Sequence, residues 1–217
     1  VGEKIRTAFV EGRKNGVMYH VGRPGEEGYT DRVLKAWGVD GHNSHTNICS
    51  SNARIGYQSW MGHDRPSSDF ANAKVIFLIS SHLESGHYFN PHAQRIIEAQ
   101  ANGAKVIACD PRLSNTGAKA DYWLPTWPGT EPFLLLSIAR LLIESEEWNA
   151  EFVERWVNWE TYLKERVPGK PVEFSQLRAA LLEEYAEYTP EAAEQKTGID
   201  ADTIREIAAV IGANPTK

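Results

Sequence analysis

The chain has 217 residues, 41% hydrophobic and 24% charged, with a net charge of −6 and a pI near 5.7. That is enough chain for a full core and an ordinary globular composition, and without a basic stripe nucleic acid is excluded as a partner. Two cysteines cannot build a disulfide framework, no CxxC pattern for zinc or an iron–sulfur cluster is present, and no apolar run has bilayer-spanning length.

The start, VGEKIRTAFVEGRKNG, lacks the apolar stretch or twin arginine of an export signal, so none is expected in this chain. Ile5–Glu11 reads as the end of a helix and Gly16–Gly22 as a buried strand, followed by the loop GRPGEEG. Tyr29–Trp37 reads as a helix that Thr30 or Asp31 is placed to cap. From His42 to Pro66 the composition is polar and mixed, with a helix expected over Asn52–Trp60. Two clearer βα units follow. Val75–Ser80 leads to a helix near Pro91–Ala101, which Asn102 and Gly103 close. Val106–Cys109 leads to Asp110-Pro111, a short strand at Asp121–Leu124, a turn at Trp127–Thr130 and a helix over Glu131–Glu144. Apolar strands alternating with helices predict an α/β fold, a Rossmann-like parallel sheet covered by helices on both faces.

From Asn149 the composition shifts toward helix formers, which suggests an α/β domain over 1–148 and a helical extension over 149–217. Within that tail Thr189 caps one helix and Asp200 or Asp202 the next, while Pro168–Pro171 reads as a hinge. Five of the seven tryptophans fall between Trp123 and Trp159, where they are expected to pack.

Parallel strands present their C-terminal ends at one edge, where nucleotides are commonly held. KVIFLISS opens into HLESGHYFNP, and KVIACD opens into PRLSNTGAKADYWLPTWPGTEP. Asp110, at the end of the second strand, can accept from a ribose or base N–H, or can cap the turn Asp-Pro-Arg. In Trp127–Glu131, Gly129 permits close backbone approach, Thr130 can cap the following helix and Glu131 sits in its first turn. His82, Glu84 and His87 have a zinc-like spacing without a further ligand, and His42, His45 and Cys49 likewise lack a fourth partner. The glycines at 22, 25 and 28 are at the wrong offsets for GxGxxG, and no Walker A, GxSxG or HExxH sequence occurs.

Four pieces in order, NICSSNARIGY, VIFLISSHLESGH, NGAKVIACDPRLSNTGAKADYWLPTWPGTE and YTPEAAEQKTGIDADTIREIA, carry a resemblance. From about Val17 onward the chain resembles the central, dinucleotide-binding portion of the molybdopterin oxidoreductases, the family of dimethyl sulfoxide reductase, formate dehydrogenase and the periplasmic nitrate reductases. The resemblance implies bis-molybdopterin guanine dinucleotide with molybdenum or tungsten, and makes Cys49 the metal ligand and the catalytic position. It also implies that Ser80, Ser81, His82 and His87 approach one dinucleotide, that Asp110, Arg112 and Ser114 read its ribose or guanine end, and that Gly129, Thr130 and Glu131 form the Pro-Gly-Thr-Asp turn with glutamate for aspartate. Arg54 and His45 become candidates for groups near the metal or substrate. Many relatives have asparagine at the place of His82, and formate dehydrogenases have histidine at the place of Ser50, which weighs against that activity.

Family catalytic subunits are several times longer, so the resemblance makes this chain a fragment of one. Its expected partners are the remaining domains of the subunit, an iron–sulfur or cytochrome electron-transfer subunit and a small-molecule substrate. An iron–sulfur cluster is expected only in a flanking region, no direct membrane span is expected, and the compartment can be periplasmic or cytoplasmic. Two other readings are a cofactor-free structural relic of the fold within a respiratory complex and a plain module for another nucleotide.

Overall fold

The computed structural model describes residues 1–21, 27–39, 41–44, 51–64, 66, 68–83 and 90–214, which form two compact units, Val1–Ser68 and Asp69–Lys217. The compositional shift near residue 149 lies inside the second unit.

In the first unit, α1 (Gly2–Val10), β1 (Met18–Val21), α2 (Glu27–Trp37), β2 (Gly41–Ser44) and α3 (Ser51–Met61) follow in order. β1 and β2 pair in parallel, from Met18 with Gly41 to Val21 with Ser44. Ala8, Leu34 and Val39 are buried, and the rings of Phe9 and Trp37 meet edge to face at 5.5 Å. Two expectations are corrected here. The polar stretch GHNS is a strand, because backbone pairing with β1 rather than side-chain alternation defines it. Thr30 and Asp31 stand inside α2 rather than at its cap, since the helix begins at Glu27.

The second unit is built on β3 (Val75–Ile79), β4 (Lys105–Cys109) and β5 (Tyr122–Leu124), all parallel in the order β3-β4-β5. Its helices are α4 (Asn90–Ala101), α5 (Glu131–Glu144), α6 (Ala150–Trp156), α7 (Trp159–Arg166), α8 (Phe174–Glu184), α9 (Pro190–Thr197) and α10 (Ala201–Gly212). The period-two alternation of strand side chains sorts the core into two layers. Ile76, Leu78 and Val106 meet Ile96 and Ala99 of α4 on one face. Ile107, Cys109 and Leu124 meet Leu134 and Ile138 of α5, Ala193 of α9 and Ile204 and Ile207 of α10 on the other. A parallel sheet covered on both faces therefore holds as predicted. Among the described residues no helix is long and apolar enough to cross a membrane.

Local chemistry sets the helix ends. The Thr189 side chain accepts from Ala192 N, Asp200 accepts from Asp202 N and Thr203 N, and Gly103, beyond α4, has φ +92°. α5 and α8 cap each other. Arg140 of α5 donates to Tyr185 O at 3.0 Å and to Ala186 O at the end of α8. Arg178 of α8 donates to Ile143 O at 3.0 Å and Glu144 O at 2.7 Å at the end of α5. Each guanidinium adds donors to carbonyls at or just past a helix end and places positive charge near the negative end of the dipole.

The N-terminal end of the sheet is tied by Asp121. Its carboxylate accepts from Val106 N at 2.9 Å and from Lys105 Nζ at 2.9 Å, while its own amide donates to Val106 O at 2.8 Å. Burial pushes the Asp121 pKa up, but hydrogen bonds from Val106, Lys105 and Gln100 outweigh it and hold the carboxyl below its ordinary value.

A depressed folded-state pKa contributes stability above the unfolded value, near ~3.9 for aspartate, which is lost as pH falls through the folded value. Asp121→Asn is therefore expected to lower stability at pH 7, with the deficit shrinking below about pH 4; urea unfolding across that range checks it, and a pH-independent deficit refutes it. Arg140→Ala and Arg178→Ala are each expected to cost on the order of 1–2 kcal/mol, and an unchanged urea midpoint would show that the mutual capping contributes nothing.

Candidate functional site at the C-terminal edge of the sheet

The strand register brings three loops to one edge. Ile79 pairs with Cys109, and Cys109 with Leu124, so β3, β4 and β5 finish level. Ser80, Asp110 and Pro125 then leave the sheet side by side. Ser80 turns sharply, with φ +52°, as its amide donates to Cys109 O at 2.9 Å. A non-glycine residue in the left-handed region costs roughly 1 kcal/mol, and such residues gather where a ligand needs the chain to turn.

The first two loops are stitched together. Leu83 N donates to the Thr116 hydroxyl at 3.1 Å, inside the protein. Asp110 bridges to the neighbouring strand, its amide donating to Leu124 O at 3.1 Å and its carbonyl accepting from Trp123 Nε1 at 2.8 Å. One carboxylate oxygen, Oδ1, accepts from Arg112 N at 2.8 Å, so the Asp-Pro-Arg turn foreseen from the sequence forms. Arg112 is exposed. Ser114 is only 6% exposed and its hydroxyl accepts from Gly117 N at 3.2 Å, so it supports the loop from within rather than lining its surface.

The third loop is the turn after β5. Gly129 has φ +87°, where a glycine is favoured, and Thr130 N donates to Trp127 O at 3.1 Å. The Thr130 hydroxyl also donates to Trp127 O, at 2.6 Å, and makes no cap bond to α5. The predicted capping role of Thr130 is thus corrected: its side chain closes the turn, and Pro132 in the first turn of α5 removes one amide that a cap would serve.

Beneath the edge lies Cys109, 1% exposed, with its sulfur 3.3 Å from the Thr126 hydroxyl. Burial pushes this thiol's pKa up; the Thr126 hydrogen bond opposes the shift, and the charges of Glu131 and Asp110 add to it. Asp110 directly follows β4, and Glu131 opens α5 just past the turn after β5. Such a pair favours partners rich in hydrogen-bond donors, such as ribose hydroxyls and purine N–H groups, with Arg112 as the nearby cation.

Cys49, His87, His45 and Glu84 lie outside the described residues, and so does the completion of either zinc-like spacing; among the described residues no cluster of metal-ligating side chains forms. Ser81 is half-buried and donates to Ile79 O at 3.3 Å, and His82 is half-buried at the same loop. Arg54, in α3, pairs with Asp64 at 3.5 Å. Thr116, Trp123 and Trp127 carry the loop-to-loop contacts that the sequence pattern did not single out. For the two tryptophans the signal was their enrichment, which reads as packing; for Thr116 the sequence offered none.

No family model matches the chain. It is 30% identical over 185 residues to the arsenate respiratory reductase molybdopterin-containing subunit of Chrysiogenes arsenatis, covering 81% of this chain and 22% of that subunit. Over 182 residues it is 30% identical to the thiosulfate reductase molybdopterin-containing subunit of Salmonella typhimurium, with 82% and 21% covered. Its fold matches acetylene hydratase from Pelobacter acetylenicus with a TM-score of 0.68 at 24% identity, over 98% of this chain and 27% of that one. The chain spans about a fifth of the length of these curated relatives. On this kinship and this fold, the chain belongs to the molybdopterin oxidoreductase family.

Proposed function

We propose that the chain is the dinucleotide-holding part of a molybdenum- or tungsten-dependent oxidoreductase that uses bis-molybdopterin guanine dinucleotide. The observation that carries this reading is the level ending of β3, β4 and β5, from which Ser80–His82, Asp110–Arg112 and Gly129–Glu131 leave the same edge. The donor and acceptor chemistry there fits the group. Guanine presents N–H donors along one side and ribose presents hydroxyls, and the carboxylates of Asp110 and Glu131 are the acceptors assigned to them. Asp110 holds its own turn through Oδ1, which leaves Oδ2 as the acceptor assigned to the nucleoside. Arg112 suits the diphosphate, for which a guanidinium fork is well shaped.

The metal–pterin group, when bound, supplies the redox chemistry: exchange of an oxygen atom, or of a hydride and proton, with a small substrate, and of electrons with iron–sulfur partners. Cys49 is assigned as the metal donor from its motif, because a thiolate is a soft ligand. Cys109 is unsuited to that role: it is buried and its pKa is raised, and structural thiols of this kind are inert. His82 and His87 are assigned to the dinucleotide side of the β3 loop. Partners follow the same proposal: the other domains of a catalytic subunit and an electron-transfer subunit.

Metal and pterin analysis of the full native protein, beside Cys49→Ala, tests the reading. Molybdenum or tungsten with pterin dinucleotide is expected in the native protein, and an altered metal spectroscopic signature in the variant. Well-folded native protein free of both metal and pterin would sink the proposal and leave the domain as a scaffold.

Two neighbours in the β4 loop are expected to separate binding from support. Arg112→Ala should release dinucleotide while stability stays within about 0.5 kcal/mol of the parent; Ser114→Ala should lose about 1 kcal/mol of stability. Pterin content and thermal unfolding read both, and the reverse pattern would exchange the two roles.

A further inference from the structure

The junction between α9 and α10 makes contacts beyond those a helix–helix connection requires. α9 ends at Thr197, and Gly198 follows with φ +76°. Glycine is favoured at such a left-handed cap, and asparagine is the usual substitute. A second demand is present here. A Cβ on Gly198 would lie 2.8 Å from Trp127 Nε1 and 3.3 Å from its Cδ1, so the indole rests directly on the glycine backbone. The Trp127 amide in turn donates to Thr197 O at 3.1 Å. Thr197 is fully buried, with its hydroxyl donating to Ala193 O at 2.7 Å and accepting from Ile199 N at 3.1 Å.

Backbone and ring of one residue are thus held by two consecutive residues roughly seventy positions downstream. The held residue begins the turn that closes on Trp127 O through both the amide and the hydroxyl of Thr130. Fixing Trp127 therefore fixes Gly129, Thr130 and the approach to Glu131. Trp127 as a whole nevertheless stays 66% exposed at the surface.

We infer that Thr197 and Gly198 are positioning residues for the cofactor-facing turn Trp127–Glu131, acting through Trp127. This rests on the proposed dinucleotide reading of that turn. A capping role alone needs only the backbone conformation of Gly198; seating the indole also needs the missing Cβ.

Gly198→Asn separates the two demands, because asparagine tolerates the backbone conformation but brings a Cβ onto the ring. Native protein, Gly198→Asn, Trp127→Ala and the double variant are compared for retained pterin dinucleotide, for amide hydrogen exchange at Trp127 and Thr130, and for thermal midpoint. Gly198→Asn is expected to keep a near-native midpoint, lower dinucleotide retention about tenfold and speed exchange at both amides by a similar factor. In the Trp127→Ala background the same substitution should change retention no further, since the ring that transmits the effect is gone. Native protein that holds dinucleotide, with unchanged retention and exchange in Gly198→Asn, overturns the inference alone. So does an equal loss of retention in both backgrounds, which would mark Gly198 as a cap and nothing more. Folded native protein without dinucleotide overturns the functional reading, and the inference with it.

Discussion

Everything at the candidate site depends on the register of three parallel strands. Asp121 ties the N-terminal end of β5 to Val106 and Lys105, and with that end set the pairing of Ile107 with Tyr122 brings Leu124 level with Cys109. A slip of one residue would turn each strand's side chains to the opposite face. Ile107 and Cys109 would then meet α4 rather than α5 and α10, and Asp110 would no longer stand beside the exit of β5. Core and site thus rely on the same pairing, and a carboxylate at one end of the sheet governs what converges at the other.

The edge combines local strain with a firm base. Ser80 holds a left-handed conformation and Gly129 another, while the residues beneath them are among the most deeply buried in the chain: Cys109, Leu124 and Thr126 are each 1% exposed. Close packing permits little give, so the loops inherit their position from the strand ends. Cross-links between loops then do the finer work. Leu83 to Thr116, Trp123 to Asp110 and Trp127 to Thr197 each join segments far apart in sequence. Cys109 lies in the packed layer, where burial above all, with the charges of Glu131 and Asp110 adding to it, disfavours its thiolate, and it belongs to the core.

What could be read from the sequence was whatever is encoded locally. β3 and β4 are apolar runs bounded by polar loops, and Thr189 and Asp200 stand at the caps they were expected to serve, so these elements needed no tertiary information. The order of four motifs carried the family. β2 was missed because Gly-His-Asn-Ser has no apolar alternation, and only pairing with β1 makes it a strand. Thr130 was misread because local pattern cannot tell a hydroxyl that caps a helix from one that turns back to close the preceding turn. Ser114 looked like a surface ligand for a similar reason: only the folded turn, in which its hydroxyl accepts from Gly117 N, shows it to be buried. Cys49 and His87 remain assignments from motif alone.

By composition the helical tail reads as an extension, but its packing makes it part of the support of the sheet. Ile204 and Ile207 of α10 and Ala193 of α9 are fully buried against Ile107, Cys109 and Leu124. Tyr122 of β5 donates to Glu206 of α10 at 2.8 Å. One face of the sheet thus shares its core between α5 and the pair α9 and α10, and the turn after β5 is anchored at Trp127 by the junction of that pair. Burying a large apolar side chain contributes about 1.5–3 kcal/mol, so Ile204 and Ile207 alone contribute substantially to holding the sheet. The C-terminal edge of the sheet is therefore held from below by α9 and α10, and a change in those helices reaches the turn after β5 through Trp127.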